Sequence, residues 1–177
     1  MRSPQLRGRA LGASVIALGM ALAFTPLALA DPVEPAPGPG PSPIVVEAAP
    51  MGDDATPAAV TACGAFAQAL DGTSLYFGDF ADSLEGSNYS DPAVESSNSV
   101  GRTALRQGAG VALEAANTPG LQPEIASPMR SWSMGATAML IKMGLRIPGE
   151  SLNTTAEGMN NSATEAQMAC ATAGTHA

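Results

Sequence analysis

Apolar side chains recur at alternating steps of four and three residues in four separate segments of this chain. The longest run of this spacing extends from Ala59 to Leu84 and continues past Asp71 and Gly72. Such spacing places one apolar stripe along one side of an α-helix. Four stripes with short connections predict an all-α fold, an up-down-up-down four-helix bundle. Gly72 leaves open a kink in the first helix.

Turn and capping residues mark the ends of the predicted helices. Asp91 is placed to cap the second helix and Ser127 the third, each with proline in the following position. Thr154 and Glu157 have the spacing of a capping box, and Gly174 is placed to end the fourth helix. The predicted helices extend over residues 58–85, 92–116, 127–147 (with Ser127 as the cap) and 152–173.

The third segment holds the only tryptophan and four of the nine methionines. Arg130, Lys142 and Arg146 interrupt its apolar residues, which predicts a core helix and not a membrane span. We therefore expect the other three helices to cover the apolar stripe of this one.

Residues 1–30 have the plan of a secretory signal peptide. Arg2, Arg7 and Arg9 precede an apolar stretch, and Ala28 and Ala30 form a small-x-small cleavage signal. The predicted domains are thus a signal peptide over 1–30, a linker over 31–57 and a helical domain over 58–177. An uncleaved membrane anchor is the alternative for the first thirty residues.

The segment 31–57 is rich in proline, with eight prolines in 27 residues. Proline lacks a backbone donor and fixes φ, so this composition predicts a disordered, extended linker. An inert tether, a spacer from a cell surface and a proline-rich ligand for a partner all fit this composition.

The two cysteines, Cys63 and Cys170, lie near the start of the first helix and near the end of the fourth. In an up-down-up-down bundle these positions share one end of the molecule. An exported chain meets an oxidising compartment, so we predict a Cys63–Cys170 disulfide. Two free buried thiols are the alternative if the chain is not exported.

The charge after cleavage of the signal peptide is strongly negative. All sixteen acidic residues follow Ala30 and only five basic ones do, which gives a formal charge of −11. Nucleic acids and anionic lipid surfaces require a positive footprint. We therefore expect neither as a partner, and no transmembrane segment in the mature chain.

Catalytic and metal-binding motifs are lacking in the sequence. The only histidine, His176, is the penultimate residue, whereas a catalytic triad needs a histidine that a second group orients. The carboxylates of the first helix lie off its apolar stripe. The sequence therefore predicts no metal site, no cofactor and no enzymatic activity.

Two sets of side chains nevertheless suit binding. Aromatic rings and thioethers of the helices could hold a small apolar ligand such as haem or a lipid, with room left by the glycines of the second helix. Arginines could hold an anion, and with a carboxylate of the first helix they form the only enzyme hypothesis. The apolar set is Phe66, Tyr76, Phe77, Phe80, Met129, Trp132, Met139, Met143 and Met159, and the anion set is Arg102, Arg106 and Arg130.

The chain resembles small exported helical proteins of mycobacteria and related actinobacteria. The resemblance rests on the signal peptide, the DPVEPAPGPGPSP linker, the two cysteines and stretches such as NSVGRTALRQ, MRSWSM and MACATAGTHA. Secreted chorismate mutases and exported haem carriers share the plan. The active-site set of the first group and the ligating histidines of the second have no counterpart here.

These observations favour a secreted or cell-envelope helical protein that acts through contacts with an unknown protein partner. A carrier of a small apolar ligand is the alternative. A small secreted enzyme that uses Arg102, Arg106 and a carboxylate ranks below both.

Overall fold

The computed structural model describes residues 52–147 and 149–177, and within them the chain is all-α. The predicted signal peptide and nearly all of the predicted linker lie outside the described residues. Four helices form the up-down-up-down bundle that the sequence predicts. They are α1 (Pro57–Leu84), α2 (Pro92–Ala116), α3 (Pro123–Gly144) and α4 (Gly149–Thr172).

Helix α1 is one unbroken helix, as its spacing indicates. Its first turn is capped by Thr56, whose hydroxyl accepts a hydrogen bond from the Ala59 amide at 3.2 Å. The helix continues through Asp71 and Gly72 because its stripe stays in register there. Phe66 and Phe80, on either side of this weak point, are both fully buried.

Helix α2 begins where the sequence predicts. The Asp91 carboxylate accepts a hydrogen bond from the Ala93 amide at 2.8 Å, and Pro92 occupies the first turn. The small side chains on its inward stripe let α2 approach α1 and α3 closely. A methyl group at Gly108 would overlap the Thr73 hydroxyl and lie 3.3 Å from the Trp132 ring.

The prediction for the start of α3 was wrong. The helix begins at Pro123 after Gln122, so Ser127 and Pro128 lie inside it. Pro128 removes the amide that would donate to the Glu124 carbonyl. Glu124 is exposed, so water can satisfy its carbonyl. The extra turn also buries Ile125, which favours the longer helix.

The capping box predicted for α4 is also wrong. The helix begins at Gly149, and the Thr154 hydroxyl donates to the Glu150 carbonyl within it at 3.1 Å. The C-terminal prediction is confirmed. Gly174 has φ of 76°, and the Thr175 amide donates to the Cys170 carbonyl at 3.0 Å, which is the Schellman arrangement.

The predicted disulfide is confirmed. Cys63 and Cys170 are both fully buried and are bonded, with their Cα atoms 6.0 Å apart. The bond joins the start of α1 to the end of α4. Next to it, the Gly52 amide donates to the Gly174 carbonyl at 2.7 Å. This end of the bundle is therefore tied by one covalent and one backbone link.

Two glycines of α2 offer a test of the close approach at Gly108. We expect Gly108→Ala to lower the free energy of unfolding by about 1–3 kcal/mol, because Thr73 or Trp132 must move. Gly110 has no atom within 4 Å of the corresponding position, so Gly110→Ala should raise stability by about 0.5–1 kcal/mol. Urea unfolding measures both, and equal effects would contradict the packing described.

Reduction of the disulfide should destabilise the domain strongly. The bond closes a loop with a sequence separation of 107, for which the chain-entropy model gives about 4–5 kcal/mol. Urea unfolding with and without dithiothreitol measures the loss. The control is the Cys63→Ala/Cys170→Ala variant, which should not respond to dithiothreitol. An unchanged midpoint for the unaltered protein would refute the expectation.

Candidate functional site

One side of the bundle is open. Helix α1 packs on α2, α2 on α3 and α3 on α4, whereas α1 and α4 make few direct contacts. The disulfide holds them together at one end. Beyond that end a groove extends between α1 and α4, and α3 lies beneath its first part.

The groove exists because the two facing stripes differ in size. Helix α1 contributes large residues, including Leu70 and Phe77, whereas α4 contributes Ala156 and Ala163 at the matching level. An alanine side chain fills little of the space between two helix axes that lie about 8–10 Å apart. Part of this space therefore remains open.

The first cavity of the groove has a volume of about 330 Å³, within the range of small-molecule sites. Trp132 and Met139 of α3 lie beneath it, and both are almost fully buried. The walls and edge come from α1 and α4. They consist of Leu70, Asp71, Thr73, Ser74, Phe77, Ala156, Met159, Asn160, Ala163 and Gln167.

A second cavity of about 380 Å³ continues the groove toward the end of α1, and Phe77 lines both cavities. The groove therefore extends from the level of Leu70 to that of Leu84, which is about 21 Å of helix. Its second part is lined by Phe77, Phe80, Ala81, Asp82, Leu84, Glu85, Gly149, Leu152 and Asn153.

Trp132 is held in place from two sides. Its ring meets the Phe66 ring edge to face, with centroids 5.5 Å apart at 87°, an orientation that aromatic pairs prefer. Gly108 of α2 also lies close to the ring, since a methyl group there would be 3.3 Å from it. The only tryptophan of the chain therefore forms a rigid part of the groove.

The edge of the groove carries negative charge. Asp71 lies beside the first cavity, and Asp82 and Glu85 lie beside the second, whereas no lysine, arginine or histidine lines either one. These carboxylates disfavour an anionic group at the edge and favour a cationic one. Ser74, Asn160 and Gln167 add hydroxyl and amide groups.

The structure brings together five of the nine predicted apolar ligand residues. Phe77, Phe80, Trp132, Met139 and Met159 line the groove. Phe66, Met129 and Met143 are fully buried in the core. Tyr76 is half-buried and lies outside both cavities.

Sequence reasoning missed the alanines that create the groove and the acids along it. Ala156 and Ala163 lie seven positions apart on the fourth helix, and their small size is the signal that the sequence offers. The glycines of α2 were expected to leave space for the ligand, and this expectation is wrong. The space beside Gly101 and Gly108 is already occupied by neighbouring atoms, including the Tyr76 carbonyl and the Trp132 ring.

The three arginines of the predicted anion set do not meet. Arg130 donates hydrogen bonds to the Ala116 carbonyl at 2.8 Å and to Asn117 Oδ1 at 3.1 Å, so it caps the end of α2. Arg106 is exposed. Arg102 is half-buried and lies against Gly144, near the end of α3.

Metal ligands are not clustered in the described part of the chain. No group of three or more histidine, cysteine, aspartate or glutamate side chains within residues 52–147 and 149–177 is placed to hold a metal ion. None of the helices α1 to α4 combines the length and the apolar character needed to cross a bilayer.

Comparison with known proteins places the chain in a family. No curated protein and no solved structure matches the chain. The model of the Rv2240c four-helix bundle domain matches residues 45–171, which is more than half of the chain and nearly all of the four helices. The name of this family is mycobacterial, in agreement with the resemblance to mycobacterial helical proteins. The chain belongs to the family of the Rv2240c four-helix bundle domain.

Proposed function

We propose that this chain is an exported, non-enzymatic carrier of a small amphiphile, which it holds in the groove between α1 and α4. The observation that carries the proposal is the groove itself. It combines apolar walls, the buried Trp132 and an acidic edge in two adjacent cavities that share Phe77.

The walls of the groove favour an elongated apolar body in the ligand. Leu70, Phe77 and Met159 offer apolar side chains along the cavity, and each methylene removed from water contributes about 0.8 kcal/mol. The thioether of Met159 is flexible and adapts to the shape of its neighbour. A chain or a narrow ring system therefore fits better than a polar metabolite.

The edge of the groove favours a neutral or cationic polar group. Asp71, Asp82 and Glu85 would repel the carboxylates of haem, as they would those of a fatty acid. A haem iron in the groove would meet only the sulfurs of Met139 and Met159, and not the phenol of Tyr76. Between haem and a lipid-like amphiphile, these residues favour the amphiphile.

Export is supported by the basic, apolar and small-residue parts of the first thirty residues. A buried disulfide suits a protein that folds in an oxidising compartment. The negative charge of the exported chain would disfavour stable binding to anionic membranes.

Native mass spectrometry of the protein secreted by a mycobacterial host tests export and cargo together. We expect the mass of residues 31–177 with one disulfide, increased by a ligand that organic solvent removes. Retention of the whole chain in the cells would contradict export. A secreted polypeptide without added mass would contradict a carrier that is loaded in the cell.

A pair of alanine variants tests the groove. Ala163→Met fills the first cavity, whereas Ala171→Met adds the same atoms at an exposed position of α4. The test is a titration of each protein with dodecyltrimethylammonium, below the critical micelle concentration of this surfactant. Trp132 fluorescence reports the binding. Affinity should fall at least tenfold in Ala163→Met and stay within twofold in Ala171→Met.

Dodecyl sulfate is the charge control for the same titration, since it has the same alkyl chain and an anionic head. The acidic edge predicts weaker binding of dodecyl sulfate to the unaltered protein. Equal losses in the two alanine variants, or tighter binding of dodecyl sulfate, would refute the assignment of the groove.

Contact with a protein partner is the second candidate function, and one surface favours it. Met134 and Ile141 on α3 and Leu145 directly after it are 66%, 54% and 68% exposed. Their steps of seven and four residues put them on one side of the helix. We call these three residues the outer stripe.

A photo-crosslinking amino acid placed in the outer stripe tests this candidate in the living host. A crosslinker at Met134 should form one defined adduct, which Ile141→Lys removes. A crosslinker at the exposed Thr164 of α4 is the control and should form none. An adduct of twice the chain mass would identify a second copy. Equal crosslinking from Met134 and Thr164 would refute the candidate.

A further inference from the structure

A second kind of cavity lies on the side of the bundle formed by α2, α3 and the turn before α2. Its volume is about 310 Å³, and it holds two of the five basic residues that follow the signal peptide, Arg102 and Arg146. Tyr89, Ser99 and Glu95 also line it. No residue of this cavity belongs to the groove between α1 and α4.

Arg102 lacks a counter-ion among the described residues. Its guanidinium lies against the backbone of Gly144, where a methyl group would be 3.1 Å from Nη2. Its Nε atom is buried without a hydrogen-bond partner. A half-buried cation without a partner is costly. In a chain with sixteen acidic residues, this arrangement indicates that the partner comes from outside the chain.

Arg146 is held toward the same cavity by an unusual backbone. It has φ of 55°, in the left-handed region, and its amide donates to the Met143 carbonyl at 3.2 Å. It occupies the position after the helix end where glycine is preferred. Any side chain other than glycine or asparagine is disfavoured there, and such outliers concentrate at functional sites.

The ion pair between Arg146 and Glu95 is weak, so the Arg146 guanidinium stays available to a ligand. Arg146 Nη2 lies 3.2 Å from Glu95 Oε1, but the two side chains are 56% and 68% exposed. Exposed pairs of this kind contribute about 0–1 kcal/mol. Arg146 can therefore exchange Glu95 for a ligand in the cavity at little cost.

The polar neighbours of the two arginines are fixed by the end of α3. The Tyr89 hydroxyl donates to the Ile147 carbonyl at 3.2 Å, and Asn98 Nδ2 donates to the Met143 carbonyl at 3.2 Å. Burial raises the pKa of Tyr89, and the positive charge of Arg146 opposes this rise. These bonds join α2 and the turn before it to the end of α3 beside the cavity.

We propose that this cavity binds a small carboxylate ligand between the guanidinium groups of Arg102 and Arg146. Guanidinium groups match the planar fork of a carboxylate. Two arginines and one glutamate give the lining a net charge of one, which a single carboxylate neutralises. The Ser99 hydroxyl offers a further donor. This proposal does not depend on the groove or on its cargo.

Amide and side-chain NMR signals of residues 31–177, titrated with sodium acetate at constant ionic strength, test the proposal. We expect saturable shifts of the Arg102 Nε–H signal and of the amides of Ser99 and Arg146. Sodium chloride is the reference salt, and inorganic phosphate is the second anion. Shifts that are the same with chloride, or tighter binding of phosphate than of acetate, would overturn it.

Two arginine variants distinguish binding in this cavity from a nonspecific effect of positive charge. Arg102→Gln and Arg106→Gln remove the same charge from the same helix, one turn apart, but Arg106 is exposed and does not line the cavity. Affinity for acetate should fall at least tenfold in Arg102→Gln and stay within twofold in Arg106→Gln. Equal losses in both would overturn the site.

A second readout keeps the test decisive if Arg102→Gln unfolds. Arg146→Gln alters an exposed side chain and should also lower the affinity for acetate at least threefold.

In the Tyr76→Phe protein, Tyr89 is the only tyrosine, so absorbance titration reports its pKa. A bound carboxylate disfavours the tyrosinate, so saturating acetate should raise this pKa. An unchanged pKa together with unchanged affinity in Arg146→Gln would overturn the proposal.

Discussion

The disulfide between Cys63 and Cys170 is the constraint on which the rest of the structure depends. Helices α1 and α4 make few direct contacts, so packing alone gives the fourth side of the bundle little cohesion. The covalent bond holds these two helices at one end and leaves them apart beyond it. The domain can therefore keep an open apolar groove without losing its closed topology. A conventional bundle would have filled this space with larger side chains on α4.

The groove between α1 and α4 and the cavity that contains Arg102 and Arg146 have opposite electrostatic character, which favours different ligands. The groove is apolar with Asp71, Asp82 and Glu85 along its edge. The cavity between α2 and the turn after α3 contains Arg102 and Arg146. In a strongly acidic chain, two arginines in one small cavity concentrate much of the available positive charge. Both features follow from the same bundle, since α3 contributes Trp132 and Met139 to the groove and Met143 and Gly144 to the arginine cavity.

The sequence predicted the number of helices, their order and the disulfide, because each depends on spacing within the chain. It also predicted five of the residues that line the groove, since Phe77, Phe80, Trp132, Met139 and Met159 lie on inward stripes. The start of α3 and the capping box of α4 were predicted wrongly. Both rested on short capping patterns, and in α3 the burial of Ile125 outweighs the capping preference. Local preferences are worth about 1 kcal/mol, and tertiary packing exceeds this readily.

The sequence by itself determined the helical periodicity, the pairing of the only two cysteines and the negative charge, because these are properties of residue order and composition. Tertiary structure decided where space remains. Ala156 and Ala163 have the same stripe positions whether or not a neighbour fills the gap before them. The gap stays open because α4 packs on α3 and makes few contacts with α1. Likewise, Arg102 and Arg146 are 44 positions apart. They share a cavity because α2 and α3 are antiparallel neighbours and because Gly144 lets the guanidinium approach the backbone.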